Sequence, residues 1–270
     1  KLIIMEIKYQ SGLEHQQRAV DAIVKVFENV RFNEPNQLYE CPQFDLTDNK
    51  IAENIRTVQN DGKYNVDGEY RRQIVGTECL NIDIKMETGT GKTYVYAHTM
   101  YELHKRYGVN KFIVAVPSLA IKEGAKAFLG DSDVRRHFSN TCGYNTEIDL
   151  CVLKAMTIKK GKRFFPSVVR DFVNGSHKTN TQIFVLLVNS QLLTSGNLLT
   201  RNDYDFGVQG FYRPLDAMKA SRPFVIIDEP HRFSRDQKAY KNIIEQISPQ
   251  CIIRFGATFP EITEGKGKNK

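Results

Sequence analysis

The segment at residues 86–93 constrains the fold of this chain more than any other part of it. It reads Met-Glu-Thr-Gly-Thr-Gly-Lys-Thr and lies between an apolar run at 80–86 and a predicted helix at about 92–107, which Gly108 would end. Glycines let such a turn bend, so that several backbone N–H groups converge at the N-terminus of the following helix. Because that arrangement binds anions, the segment predicts a phosphate-binding loop. A flexible glycine-rich turn is the alternative.

Individual residues of this loop have distinct expected roles. Lys92 would reach the β- and γ-phosphates of ATP, and the Thr93 hydroxyl would coordinate Mg²⁺. Met86 stands where the usual pattern has Gly or Ala, but that position opens the loop and does not touch phosphate in the general scheme. We therefore expect ATP and Mg²⁺ as cofactors, bound by Thr88, Gly89, Thr90, Gly91, Lys92 and Thr93.

A pair of acidic residues, Asp228 and Glu229, follows the apolar run at 223–227 in the sequence Asp-Glu-Pro-His. A carboxylate at a strand end opposite a phosphate loop can hold Mg²⁺ through water, which is the role expected for Asp228. A second carboxylate beside it can orient and deprotonate the attacking water, which is the role expected for Glu229. With Lys92 they form the predicted catalytic set. In isolation such a pair is commonly only a helix N-cap.

Short apolar runs alternate with helix-like stretches from residue 80 onward, which predicts an α/β fold. The runs lie at 80–86, 111–116, 182–188, 223–227 and 250–255, with a further candidate at 148–153. Runs that are apolar on both faces are typical of buried parallel strands, since helices cover both sides of such a sheet. We therefore expect a doubly wound, mostly parallel sheet flanked by helices, with ligands at the carboxyl ends of the strands.

Composition limits the class of protein. The chain has 270 residues, 41% of them hydrophobic and 26% charged, and no apolar run reaches the roughly 18 residues that span a bilayer. The N-terminal segment is too short and too charged for a signal peptide, so we expect a cytoplasmic protein without a membrane partner. The net charge of +7 suits a polyanionic partner without proving one. None of the five cysteines has metal-ligand spacing, which favours reduced thiols.

Further residues are candidates for the same site. Gln16, with Gln17 as the second choice, presents an amide that matches the adenine edge, although a glutamine on an amphipathic helix is usually only solvated. Small residues after the last apolar run could bind the acidic loop and sense the γ-phosphate, or form an ordinary turn. A histidine after the acidic pair could couple the two segments or simply lie at the surface. The predicted coupling residues are His231, Gly256, Ala257 and Thr258.

These motifs, in this order, resemble those of superfamily 2 helicases and translocases. Within that superfamily the stretch at 86–124 is similar to the restriction (Res) subunit of type III restriction endonucleases. The loop begins with Glu87 and Thr88, the next run ends in Val-Pro-Ser, and proline follows the acidic pair. The resemblance implies a RecA-like P-loop NTPase domain, in which the strand before Gly256 lies between the phosphate-loop strand and the acidic-motif strand. It also implies ATP-driven movement on DNA, coupled to cleavage by a nuclease domain elsewhere.

The resemblance also implies contacts with the DNA backbone from two strand ends. The residues concerned are Pro117, Ser118 and Leu119 at one end and Asn189, Ser190 and Gln191 at the other. Hydroxyls, amides and helix N-termini suit phosphate, although the second segment could equally be a strand cap. The basic cluster at 159–165 could stack aromatic rings on bases, but we favour a solvated turn leading into a helix that buries Phe164 and Phe165.

The motifs predict one domain at residues 1–263, with an irregular insertion at about 31–75 that has some helix near 50–58, and a disordered tail at 264–270. Neither a second RecA-like domain nor a nuclease signature follows, so we expect half of a motor that turns over little ATP by itself. Expected partners are double-stranded DNA, a methyltransferase or specificity subunit, and those two domains of the same polypeptide. The alternatives are another superfamily 2 DNA or RNA helicase domain and a non-hydrolysing nucleotide-binding module.

Overall fold

The fold centres on a parallel β-sheet. The computed structural model describes residues 12–64, 79–155, 164–195, 198–233 and 237–259. The strands in these ranges are β1 (Phe32–Asn33), β2 (Gln43–Phe44), β3 (Leu80–Lys85), β4 (Lys111–Val116), β5 (Glu147–Val152), β6 (Gln182–Asn189), β7 (Phe224–Asp228) and β8 (Cys251–Gly256). In the described chain β3 to β8 form a six-stranded sheet in the order β3-β8-β7-β4-β6-β5, while β1 and β2 pair as an antiparallel ribbon.

Helices connect the strands and cover both faces of the sheet. They are α1 (Glu14–Val26), α2 (Asn49–Asn60), α3 (Lys92–Tyr107), α4 (Leu119–Leu129), α5 (Ser132–Arg136), α6 (Ser167–Asn174), α7 (Ser190–Thr194), α8 (Pro214–Ala220) and α9 (Lys238–Lys241). Shorter 3₁₀ turns lie at Gly62–Tyr64 and Pro230–Arg232, and π-helical turns at His137–Thr141 and Asn242–Ile247. The segments α1, α3, α4 and α5 pack on one face, and α6 to α9 pack on the other.

The central strands are apolar along their whole length because both faces are covered. In β7 the side chains of Phe224 and Ile226 enter one core, and those of Val225 and Ile227 enter the other. This alternation follows from the two-residue period of a strand. All five residues of β7 are buried, which confirms the prediction of buried parallel strands.

The strand order confirms the arrangement that the family resemblance implies. The phosphate-loop strand β3 pairs with β8, and β8 pairs with β7, the strand that ends in the acidic pair. All neighbouring pairs in this sheet are parallel, so the carboxyl ends of β3, β8 and β7 meet at one edge. The sheet therefore brings three motifs together that are far apart in the sequence.

The predicted insertion is more regular than its sequence indicates. The ring of Phe27, at the end of α1, lies 5.8 Å from Phe32 and 5.4 Å from Phe44 of the ribbon. Phe32 in turn stacks on Tyr107 of α3 at 4.9 Å. The Asn54 side chain of α2 donates to the carbonyls of Val26 and Glu28 at 3.1 and 2.7 Å, which satisfies acceptors at the end of α1. These contacts anchor the insertion to the face of the sheet that α1 and α3 cover.

Some sequence predictions fall outside the described residues, namely the tail at 264–270, the basic residues 159–163 and the insertion at 65–75. Phe165 is buried beside Tyr204, but Phe164 is 58% exposed, so the prediction that both rings are buried is wrong for Phe164. All five cysteines are free thiols, as predicted. In the part of the chain that the structure describes, we find no helix with the length and apolarity to cross a membrane.

Candidate nucleotide site

The phosphate loop leaves β3 and enters α3 through two glycines with left-handed backbones. Gly89 has φ +84° and Gly91, the residue before α3, has φ +88°. Side chains disfavour this conformation, so glycine is required at both positions. At Gly91 space is also restricted, because a Cβ there would lie 2.4 Å from Gln16 Nε2. The predicted turn between strand and helix is thus present, with Lys92 and Thr93 as the first residues of the helix.

Helix α1 holds the loop from one side. The Gln16 amide Nε2 donates to the Thr90 carbonyl at 3.0 Å, and the His15 ring Nε2 lies 3.1 Å from the same oxygen. Gln16 is 7% exposed, and its Oε1 has no hydrogen-bond partner among the described residues. Gln17 bonds Asp21 on the exposed face of α1 instead. The geometry places Gln16 against the loop and Gln17 away from it, and it adds His15, which the sequence analysis did not identify.

Lys92 meets the acidic pair across the sheet edge. Its Nζ lies 2.6 Å from Glu229 Oε1, with the side chains 8% and 16% exposed. Apart from this ion pair, Nζ has no partner among the described residues. An ammonium has three donors, so a phosphate oxygen could bind those that Glu229 leaves free.

Asp228 lies at the end of β7 and is only 5% exposed. Burial is the main cause that raises the pKa of its carboxyl to about 6; the Lys92 charge opposes the rise and the Glu229 charge adds to it. Its Oδ1 is buried and has no hydrogen-bond partner in the described ranges. A buried carboxylate at this strand end is a fitting ligand for a divalent cation or its water.

No group of three or more His, Cys, Asp or Glu side chains that could hold a metal ion occurs among the described residues. The donors of the site fit Mg²⁺ nevertheless, because this ion keeps several waters and is bound through one or two carboxylates plus substrate phosphates. Asp228 at the end of β7 would offer the carboxylate, and Thr93 at the start of α3 would offer a hydroxyl.

The backbone of the acidic loop is tied to β8. Glu229 N–H donates to the Phe255 carbonyl at 3.0 Å, and Met86 N–H donates to the Gly256 carbonyl at 2.9 Å. The β3–β8 ladder therefore continues one residue beyond Lys85, into the start of the phosphate loop. Glu229 itself has φ +55°, a conformation that costs a non-glycine residue about 1 kcal/mol. The surrounding contacts impose this conformation and direct the carboxylate toward Lys92.

The predicted coupling residues lie beside this loop. His231 Nδ1 is 3.3 Å from Glu229 Oε2, and the His231 side chain is 39% exposed. Gly256 ends β8 in van der Waals reach of Pro230, where a Cβ would lie 2.5 Å from Pro230 Cδ. Ala257 is half-buried and Thr258 is exposed at the end of the same strand.

The two segments predicted to contact DNA are neighbours at the carboxyl ends of β4 and β6. Val116 is the register partner of Asn189, and the Ser190 hydroxyl donates to the Pro117 carbonyl at 2.8 Å. The Ser118 hydroxyl accepts the Ile121 N–H at 3.4 Å, as an N-cap of α4 does. Of the other residues in these segments, Leu119 is 59% exposed and Gln191 is exposed, whereas Ser190 is half-buried and Asn189 is buried.

The family model of the type III restriction enzyme, res subunit, matches residues 11–261, nearly the whole chain. The chain belongs to this family. The Res subunit of the type III enzyme StyLTI of Salmonella typhimurium is 51% identical over 193 residues, which are 70% of this chain and 19% of that protein.

Two further relatives are 37% identical over 262 residues. They are the Res subunits of the type III enzymes EcoPI of Escherichia phage P1 and EcoP15I of Escherichia coli. The two matches cover 94% and 93% of this chain, respectively, and 26% of each relative. The chain thus spans about a quarter or less of the length of these relatives.

Among solved structures, the UvsW helicase of bacteriophage T4 is similar with a TM-score of 0.36 and 12% identity, over 67% of this chain and 47% of that one. The strand order, the phosphate loop and the family identify the chain as a RecA-like P-loop domain of helicase type.

Proposed function

We propose that this chain is the ATP-binding motor domain of a translocase that moves on double-stranded DNA as part of a type III restriction endonuclease. One observation carries the proposal: Lys92 Nζ of the phosphate loop lies 2.6 Å from Glu229 Oε1 of the acidic pair, although 136 residues separate the two in the sequence. A lysine and two carboxylates that converge at a helix N-terminus suit the binding and hydrolysis of a nucleoside triphosphate.

Each residue of the proposed nucleotide site has its own role in binding or hydrolysis. The loop residues Thr88 to Lys92 bind the phosphates through backbone N–H groups and the Lys92 ammonium. Thr93 and Asp228 would hold Mg²⁺, which would neutralise negative charge on the phosphates. Glu229 orients the attacking water and accepts its proton. In the ligand-free site Glu229 pairs with Lys92, and the γ-phosphate would take over that lysine and release the carboxylate for the water.

Adenine recognition and coupling follow from the flanking contacts. Gln16 Nε2 is committed to Thr90, while its buried Oε1 is available as an acceptor for the adenine N6 amine. His231 contacts Glu229 directly, and Gly256 contacts the acidic loop through Pro230. Movement of Glu229 on nucleotide binding would therefore reach His231 and the segment Gly256, Ala257 and Thr258.

The remaining parts of the proposed enzyme lie outside this chain. The relatives are four to five times longer than the matched region, which leaves room for a second RecA-like domain and a nuclease domain. A second RecA-like domain would supply arginines to the γ-phosphate, so the isolated chain should bind Mg²⁺-ATP weakly and turn over little. DNA would contact Pro117 to Leu119 and Asn189 to Gln191, and a methyltransferase or specificity subunit would select the sequence. We place the enzyme in the cytoplasm.

The test is nucleic-acid-stimulated ATP hydrolysis by the full-length protein, with double-stranded DNA, RNA or neither added. We expect stimulation by double-stranded DNA, displacement of a triplex-forming strand from that DNA, and loss of both in Lys92→Ala. Stimulation by RNA alone would indicate another superfamily 2 helicase. Absence of hydrolysis under every condition, with ATP still bound, would indicate a non-hydrolysing nucleotide-binding module.

A further inference from the structure

Tyr96 is a buried tyrosine on α3 that packs beside the strands of the proposed site. It is fully buried on the second turn of α3, three residues after Thr93, and residues at this spacing share one helix face. Its ring centroid is 6.0 Å from that of Phe255 in β8. Phe255 is the register partner of Asp228, so Tyr96 packs where α3, β8 and the end of β7 meet.

Two buried polar atoms at this junction have no hydrogen-bond partner among the described residues, the Tyr96 hydroxyl and Asp228 Oδ1. Each such atom is unfavourable, since it has lost its water without gaining a partner. Burial is the main cause that raises the pKa of the Tyr96 hydroxyl. The Asp228 charge raises that pKa further, and Thr93 opposes the rise. A phenol is a donor and a carboxylate oxygen is an acceptor, so the two atoms are complementary.

We propose that Tyr96 is a positioning residue for Asp228, donating its hydroxyl to the carboxylate through one buried water. The inference rests on the proposed function, since it concerns the carboxylate that would hold Mg²⁺. Tyr96 fixes one oxygen of Asp228 from below and leaves the other for the metal ion.

The role predicts a selective defect. Without the hydroxyl, Asp228 loses the donor that orients it, while the phosphate loop, Lys92 and Gln16 remain as they are. Binding of the divalent cation should therefore weaken, and binding of the nucleotide in the absence of the cation should not. A merely structural tyrosine would change stability and leave the affinity for the cation unaltered.

The experiment compares Tyr96→Phe with Tyr101→Phe in the full-length protein. Both tyrosines are buried on α3, but Tyr101 stacks on Phe138 and Tyr144, away from the site. Binding of Mn²⁺ to the protein with saturating ADP is measured by electron paramagnetic resonance of the free ion. We expect roughly tenfold weaker Mn²⁺ binding in Tyr96→Phe and no change in Tyr101→Phe. The Mg²⁺ concentration for half-maximal ATPase activity should rise in parallel.

The outcomes separate this inference from the proposed function. If the wild-type protein binds no Mn²⁺-ADP, the proposed function and the inference both fail. If wild type binds it and Tyr96→Phe binds it equally well, only the role of Tyr96 is overturned. Phenylalanine keeps the ring packed against Phe255, so the melting temperature should change little. A lower melting temperature with unchanged Mn²⁺ affinity would show a purely structural tyrosine and contradict the proposal.

Discussion

The ring of Pro230 lies against Gly256, so closely that a Cβ added to the glycine would be 2.5 Å from Pro230 Cδ and 2.9 Å from Pro230 Cγ. This contact joins the acidic motif to the end of β8 without any polar group. It explains why glycine follows Phe255, and it gives a physical role to the proline that distinguishes the acidic motif of this chain. If either segment shifts toward the other, both must move, because packed atoms cannot overlap.

Gly256→Ala should therefore disturb the acidic pair. We expect a loss of about 1–3 kcal/mol in the free energy of unfolding, since the methyl group forces Pro230 and the adjacent Glu229 to shift. ATP hydrolysis by the full-length protein should fall with it. Chemical denaturation and steady-state kinetics measure the two effects.

The matched control is Gly124→Ala in α4, where an added Cβ meets no atom within 4 Å. That substitution should be neutral or stabilise the helix by about 0.5–1 kcal/mol. If Gly256→Ala behaved like Gly124→Ala in stability and activity, the packing of Pro230 on Gly256 would not couple the two motifs.

The ionised carboxylate of Asp228 should destabilise the ligand-free protein at neutral pH. Its pKa is about 6 in the folded chain and 3.8 as the reference, so between these values the folded state binds more protons than the unfolded state. Stability from this residue therefore falls as the pH rises through that window and stays low above it. Asp228→Asn should raise the free energy of unfolding at pH 7.5 by at most about 3 kcal/mol.

The gain from Asp228→Asn should shrink toward zero near pH 4, and the variant should lose Mg²⁺-dependent hydrolysis. Urea unfolding at the two pH values measures the difference, and Asp171→Asn, at an exposed position, serves as the control. A destabilised Asp228→Asn at pH 7.5 would show that the carboxylate is stabilising, contrary to this account.

The amide of Gln16 should matter for nucleotide affinity and that of Gln17 should not. Gln16→Ala removes the bond to Thr90 and the free acceptor Oε1, so we expect roughly tenfold weaker binding of a fluorescent ATP analogue and a smaller preference for ATP over GTP. Gln17→Ala removes only an exposed bond to Asp21 and should bind like wild type. Equal affinities in both variants would exclude Gln16 from the site.

The main features of the site could be predicted because parallel strands impose them. Once 80–86 and 223–227 are read as strands of one parallel sheet, Lys92 and Glu229 must approach the same edge, and they do. The fold class follows from the same reasoning, since runs such as β7 are apolar on both faces.

Other contacts depend on how helices pack, and no local sequence pattern records them. The contact of His15 with Thr90 and the packing of Tyr96 on Phe255 require the placement of α1 and α3 on the sheet. The sequence did not predict the ribbon of Phe32 and Phe44, because its strands are only two residues long and lie in a segment rich in turn signals. Tyr96 had one available signal, its spacing of three residues from Thr93 on a predicted helix.

The most direct test of the central claim uses Lys92→Ala and Glu229→Gln in the full-length protein, with ATP binding and ATP hydrolysis measured on the same samples. Lys92→Ala should lose ATP binding and turnover, because the phosphates lose their cation. Glu229→Gln should bind ATP as tightly as wild type or more tightly, because the ion pair with Lys92 no longer competes, yet turn over at least about 100-fold more slowly. Full hydrolysis in both variants would contradict the convergence of one lysine and two carboxylates on a single triphosphate.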